Sequence, residues 1–172
     1  MRLSAKLVTL MAVLAVSACT NASRFDNGAV DLNTATGSAG GLLPGSASDP
    51  GSPAYFQQTI GDRVLFAVDQ STLSPAARAT LDGQVQWLLT NSDYSAVIEG
   101  HADEQGTRAY NLALGARRAN AVMEYLVAQG VASNRLRFVS YGKERPIEIC
   151  SEESCYAQNR RAVTVLAAGG TS

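Results

Sequence analysis

The stretch Glu99-Gly100-His101-Ala102-Asp103-Glu104-Gln105-Gly106-Thr107 is the densest polar cluster of the chain, and its flanks decide the fold. Before it, Ala96-Val97-Ile98-Glu99-Gly100 reads as a strand. After it, Ala119, Val122 and Leu126 form one apolar stripe, predicting a helix from about Arg108 to Gln129. Thr107 serves as its N-cap and Gly130 as its stop. The polar cluster therefore lies on a loop between a strand end and a helix N-terminus, where backbone N–H groups and a positive dipole end suit an anion. Asn111, Leu114 and Arg118 follow at i, i+3 and i+7 and share one helix face, with Asp103 just ahead of the helix. An acid at the helix mouth and an arginine on its face make a two-charge socket for a zwitterion, the ammonium against Asp103 and the carboxylate against the planar fork of Arg118. The same spacing also allows an internal Asp103–Arg118 salt bridge that only orients the loop.

Outward from this unit the chain continues to alternate. Arg63-Val64-Leu65-Phe66-Ala67-Val68 reads as a strand. Ser74-Pro75 opens a helix to about Thr90, with Leu81, Val85, Leu88 and Leu89 on its apolar face. Leu136-Arg137-Phe138-Val139-Ser140 and Arg161-Ala162-Val163-Thr164-Val165-Leu166 complete the strands. The order β-α-β-α-β-β predicts an α/β sandwich: a mixed four-stranded sheet covered by helices on one face. The domain is expected over residues 58–168, with a short tail at 169–172.

The N-terminal third has another character. Arg2 and Lys6 precede the apolar run Leu7–Val16, which has signal-peptide length and falls short of the roughly 20 residues a membrane-spanning helix needs. Val16-Ser17-Ala18-Cys19 resembles the bacterial lipobox. That resemblance implies removal of residues 1–18, diacylglycerol on the Cys19 sulfur and acylation of the new amine. Several acyl chains, each buried CH₂ contributing about 0.8 kcal/mol, anchor a protein stably. Thr20 stands where an Asp would signal inner-membrane retention, so the outer membrane is the expected location. Residues 20–57 are rich in Gly, Ser, Ala and Pro without periodicity and read as a flexible linker. A linker of this length spans roughly 35 Å.

Removing residues 1–18 takes Arg2 and Lys6 from the 14 basic residues and leaves the 15 acidic ones, a net charge of −3. That balance gives no electrostatic footprint for nucleic acid. Cys150 and Cys155 bracket Ser151-Glu152-Glu153-Ser154. In an oxidising compartment they are expected to close a small disulfide loop, with free thiols as the alternative. One histidine gives no basis for a zinc site. His101 reads as a hydrogen-bonded strand-end residue beside the site rather than a catalytic base, because no nucleophile motif accompanies it. Asp103 and Glu104 as an acid/base pair would make a peptidoglycan hydrolase. Adjacent residues at a helix start do not face each other across a bond, so no catalytic residue is expected.

The run Gly100-His101-Ala102-Asp103-Glu104-Gln105-Gly106-Thr107, with Tyr110-Asn111-Leu112-Ala113-Leu114-Gly115-Ala116-Arg117-Arg118-Ala119-Asn120, resembles the OmpA C-terminal domain family in its peptidoglycan-associated lipoprotein (Pal) branch. Val139–Pro146 and Asn159–Val163 extend the resemblance to about residues 59–167. It implies a non-enzymatic domain that binds peptidoglycan through the meso-diaminopimelate stem peptide. Asp103 and Arg118 would hold the two charged ends of diaminopimelate. Thr107 and Leu114 would line the pocket, and Asp69 would belong to its binding loop. It also implies a second partner, TolB of the Tol–Pal system, on an overlapping surface, and a part in envelope integrity and constriction at division. No cofactor is implied beyond the lipid on Cys19. Two departures stand out: Ala67 replaces the first Asp of the family's Phe-Asp-x-Asp, and Gln105 replaces a basic residue. Anchors of the same domain type outside the Tol–Pal system remain an alternative. Flagellar stator anchors share the domain but carry a true transmembrane helix.

Overall fold

The computed structural model describes residues 45–168. The expected signal segment, Cys19, the linker as far as residue 44 and the tail 169–172 lie outside the described residues. A short helix α1 (Pro53–Tyr55) runs into one π-helical turn (Phe56–Gly61), then β1 (Arg63–Leu65), α2 (Pro75–Thr90), β2 (Tyr94–His101) and α3 (Arg108–Ala128). A 3₁₀ turn (Ser133–Arg135) leads to β3 (Leu136–Gly142), followed by α4 (Glu153–Asn159) and β4 (Arg161–Ala168).

The four strands form one mixed sheet in the order β1-β4-β2-β3. β2 runs parallel to β3 and antiparallel to β4, and β1 is antiparallel to β4. The parallel pair is joined by α3, the crossover length such a pair requires. Strand alternation sends Ala96, Ile98, Val64 and Ala162 inward against Leu81, Leu88, Val122 and Leu126 of α2 and α3. α3 lies so close to β2 that a Cβ at Gly100 would collide with the Gly115 carbonyl, so glycine is required at that crossing.

The expected α2 matches the structure residue for residue. α3 ends at Ala128, with Gln129 as its C-cap and Gly130 at φ 104°. Three expectations are corrected. First, β1 stops at Leu65 rather than Val68, because the backbone beyond it bonds to side chains and to Arg160 instead of a strand. Second, α4 interrupts the expected β-β succession. Its seven residues carry no apolar stripe that a periodicity search could detect. Third, the residues read as linker up to 57 include an ordered segment. The Pro50 carbonyl accepts from Trp87 Nε1 at 2.7 Å, the Ser52 hydroxyl caps α1, and Phe56 is 0 % exposed with its ring 4.9 Å from that of Trp87. The same Gly, Ser and Pro that suggest a linker here serve as turn and cap residues.

Phe56 is therefore a core residue supplied from outside the expected domain boundary. Phe56→Ala is expected to lower stability by about 3–5 kcal/mol. A shift of the urea midpoint at unchanged m-value checks this.

Candidate functional site

A cleft of about 240 Å³ opens at the N-terminal end of α3. Val68, Asp69, Asp103, Gln105, Gly106, Tyr110, Asn111 and Leu114 line it. Each wall has a local cause. Ala67–Gln70 forms a turn closed by the Gln70 N–H on the Ala67 carbonyl at 3.2 Å, with Asp69 at φ 56°, a conformation that few residues other than Gly, Asn and Asp accept. The Tyr110 hydroxyl donates to Asp69 Oδ1, and this bond raises the tyrosine's pKa. Asp103 follows a register shift between β2 and β3 at Gly100 and His101, an irregularity that re-aims the chain. Its Oδ1 accepts from the Gln105 N–H at 3.2 Å. The loop is clasped from two sides: Asn111 Nδ2 donates to the Gln105 carbonyl at 2.6 Å, and Lys143 Nζ donates to the Gly106 carbonyl at 2.7 Å.

The structure thus brings Asp69, Asp103, Asn111 and Leu114 to one cleft. Thr107 does not line it; its hydroxyl accepts from the Tyr110 N–H and caps α3. Arg118 departs furthest from expectation. It does not open onto the cleft but lies one turn further along the same helix face, 0 % exposed. Its Nε donates to the Gln70 carbonyl at 2.8 Å, Nη1 to His101 O at 2.8 Å and Nη2 to Ala67 O at 3.2 Å. Burial pushes its pKa down to about 10, against the pull of Asp103, so it remains charged at neutral pH. Spacing set the face correctly; depth depends on how the turn after β1 folds over the guanidinium. The alternative Asp103–Arg118 salt bridge is not formed either. Asp103, 8 % exposed, pairs through Oδ2 with Arg160 Nη1 at 3.2 Å.

No local spacing marks Arg160, Tyr110 or Lys143 as part of the site. Burial alone would lower the Arg160 pKa, but its hydrogen bonds to Glu153 and Asp103 outweigh burial and raise it. Its partner lies 57 positions away.

A family model described as OmpA family matches residues 65–160. The peptidoglycan-associated lipoprotein of Mesorhizobium japonicum is 48 % identical over 96 % of this chain and 93 % of its own length. That of Rhizobium meliloti is 46 % identical over 96 % and 89 %. The chain belongs to the peptidoglycan-associated lipoproteins of the OmpA family. The crystal structure of the Burkholderia pseudomallei family member, 35 % identical, aligns over 69 % of this chain and all of its own with a TM-score of 0.64. With the family comes its non-enzymatic, structural character.

Ala67 and Gln105, the two positions where the resemblance leads one to expect other residues, act here through their backbone. Ala67 contributes its carbonyl to Arg118. Gln105 contributes its N–H to Asp103 and its carbonyl to Asn111. Neither role needs the missing side chain.

His101 corrects one more expectation. It is 2 % exposed, and neither ring nitrogen has a hydrogen-bond partner. Glu99 Oε2 lies 3.7 Å from Nε2, and the Tyr141 ring packs at 5.5 Å. Burial first, then the charges of Arg161 and Arg145, lower its pKa to about 4 from 6.5. A base whose folded pKa is depressed binds its proton more readily when unfolded. Stability is then complete above about pH 6.5 and falls as pH drops toward 4, by up to about 3 kcal/mol. Denaturation at pH 7 and pH 4.5 is expected to show this loss in the wild type and a smaller one in His101→Leu.

Proposed function

We propose that this chain is an outer-membrane lipoprotein, held by lipid on Cys19, that binds peptidoglycan non-covalently by its meso-diaminopimelate stem peptide. One observation carries the reading: two carboxylates, Asp69 and Asp103, line a single cleft at the mouth of α3, with the charged Arg118 one turn deeper. The free end of a diaminopimelate side chain carries an ammonium and a carboxylate on one carbon. The ammonium goes to the carboxylates. The carboxylate goes to the helix mouth, where the first-turn N–H groups and the buried guanidinium favour negative charge. Leu114 and Val68 give an apolar wall for the methylenes between the two ends of the amino acid. The relatives' name is in keeping with a wall ligand.

Hydrogen bonds from Gln105, Asn111 and Lys143 already fasten the cleft's loop, so binding needs little reordering. The partnership with TolB and the Tol complex, competing with the wall for this face, and the role in division come from the family resemblance.

Cosedimentation with purified sacculi tests the reading. Asp103→Asn removes the charge and keeps the shape; loss of a charged hydrogen bond of about 1.5–3 kcal/mol lowers affinity at least about tenfold. Asp69→Asn lies on the exposed turn and is expected to weaken binding with stability within about 0.5 kcal/mol. Wild-type retention by both variants would overturn the site. No soluble muropeptide is expected to be released; release would favour a hydrolase.

A further inference from the structure

We propose that the Cys150–Cys155 disulfide is a redox-sensitive clamp on Asp103, so that the cleft's grip on its ligand follows the thiol–disulfide state of that loop. The inference rests on the ligand cleft proposed above. The bond joins residues whose Cα atoms are 6.0 Å apart, and both cysteines are partly exposed, within reach of a small dithiol.

Two chains of contact run from this loop to the Asp103-Glu104 dipeptide. On the Cys155 side, the disulfide holds the first turn of α4. That helix has seven residues and no side-chain N-cap, too little to be stable alone. Glu153 in this turn bonds both Nη atoms of the buried Arg160, and Arg160 Nη1 bonds Asp103 Oδ2. On the Cys150 side, the fully buried Asn159 ties the preceding segment to the cleft loop. Its Oδ1 accepts from the N–H groups of Ile147 and Glu148 at 2.9 and 3.2 Å, and its Nδ2 donates to Glu104 Oε1 at 2.6 Å. Freed of the cross-link, the short helix frays. Glu153, largely exposed, leaves Arg160, which keeps the Phe66 carbonyl on Nε but loses the carboxylate that aims its Nη atoms at Asp103. In the reduction a dithiol gives two electrons and two protons. The Sγ–Sγ bond breaks, each sulfur becomes a thiol, and the dithiol closes to its own disulfide.

The test uses the whole chain from Cys19 onward in oxidised and dithiothreitol-reduced form, the Cys150→Ser/Cys155→Ser double variant, and oxidised Glu153→Gln, which keeps the disulfide. The probe is a soluble diaminopimelate-containing tripeptide. Reduction and the double serine variant are expected to weaken binding about three- to tenfold, and Glu153→Gln about three- to fivefold. Reoxidation of the wild type restores affinity. Without ligand, the Gln105 amide and Arg160 Nε–H resonances move on reduction, while the Trp87 indole resonance stays put, reporting an intact core. If the oxidised and reduced proteins bind equally, or if the Gln105 and Arg160 resonances do not move, the clamp is overturned. If those resonances move but the oxidised protein does not bind the tripeptide, the coupling stands and the proposed ligand falls.

Discussion

The guanidinium of Arg118 holds the functional end of this domain together. It is a charge in the interior, joined to three backbone carbonyls from two different segments. Two belong to the turn after β1 and one to the end of β2. A buried ion left without partners would cost many kcal/mol, so its environment has to supply acceptors in the right places. That demand shapes the chain: β1 ends early, the Ala67–Gln70 turn folds over α3, and Asp69 takes a left-handed backbone conformation. The carboxylates of the cleft stand where they do because the loops bearing them are fastened to this cation or to its neighbour Arg160.

Arg118 and Arg160 divide the work. Arg118 binds backbone and builds the floor. Arg160 holds the Phe66 carbonyl through Nε and, through its Nη atoms, sets the position of Asp103 and links it outward to Glu153. Arginine suits both tasks because its planar fork keeps its charge and engages several acceptors at fixed angles. An amide–carbonyl bond from Asn111 and an ammonium–carbonyl bond from Lys143 then fasten the loop between Asp103 and Thr107. The cleft is consequently prearranged, with its negative edge open and its positive charges behind.

This layering also covers Ala67 and Gln105, which act through their backbone groups. Where a position contributes through its backbone, the side chain is free to vary so long as it permits the conformation. Asp69, Asp103 and Arg118 contribute through side-chain charge or donors, and those are the residues present.

Much was legible in the linear chain. The bounds of α2, the core face of α3, the four strands and the grouping of Asp103, Asn111 and Leu114 follow from local periodicity, capping residues and short spacings, all of which act within a few residues, whereas Asp69 was placed with them only by the family resemblance. The pairing of Cys150 with Cys155 follows from their closeness in the chain. Other features depend on contacts between distant segments: the burial of Arg118, the Arg160–Asp103 pair, the unpartnered ring of His101, the order of residues 50–56 against Trp87, and α4, too short to announce itself. Local pattern decides which way a side chain points from its own helix or strand. How deep it lies, and what it touches there, is decided only when another part of the chain folds over it.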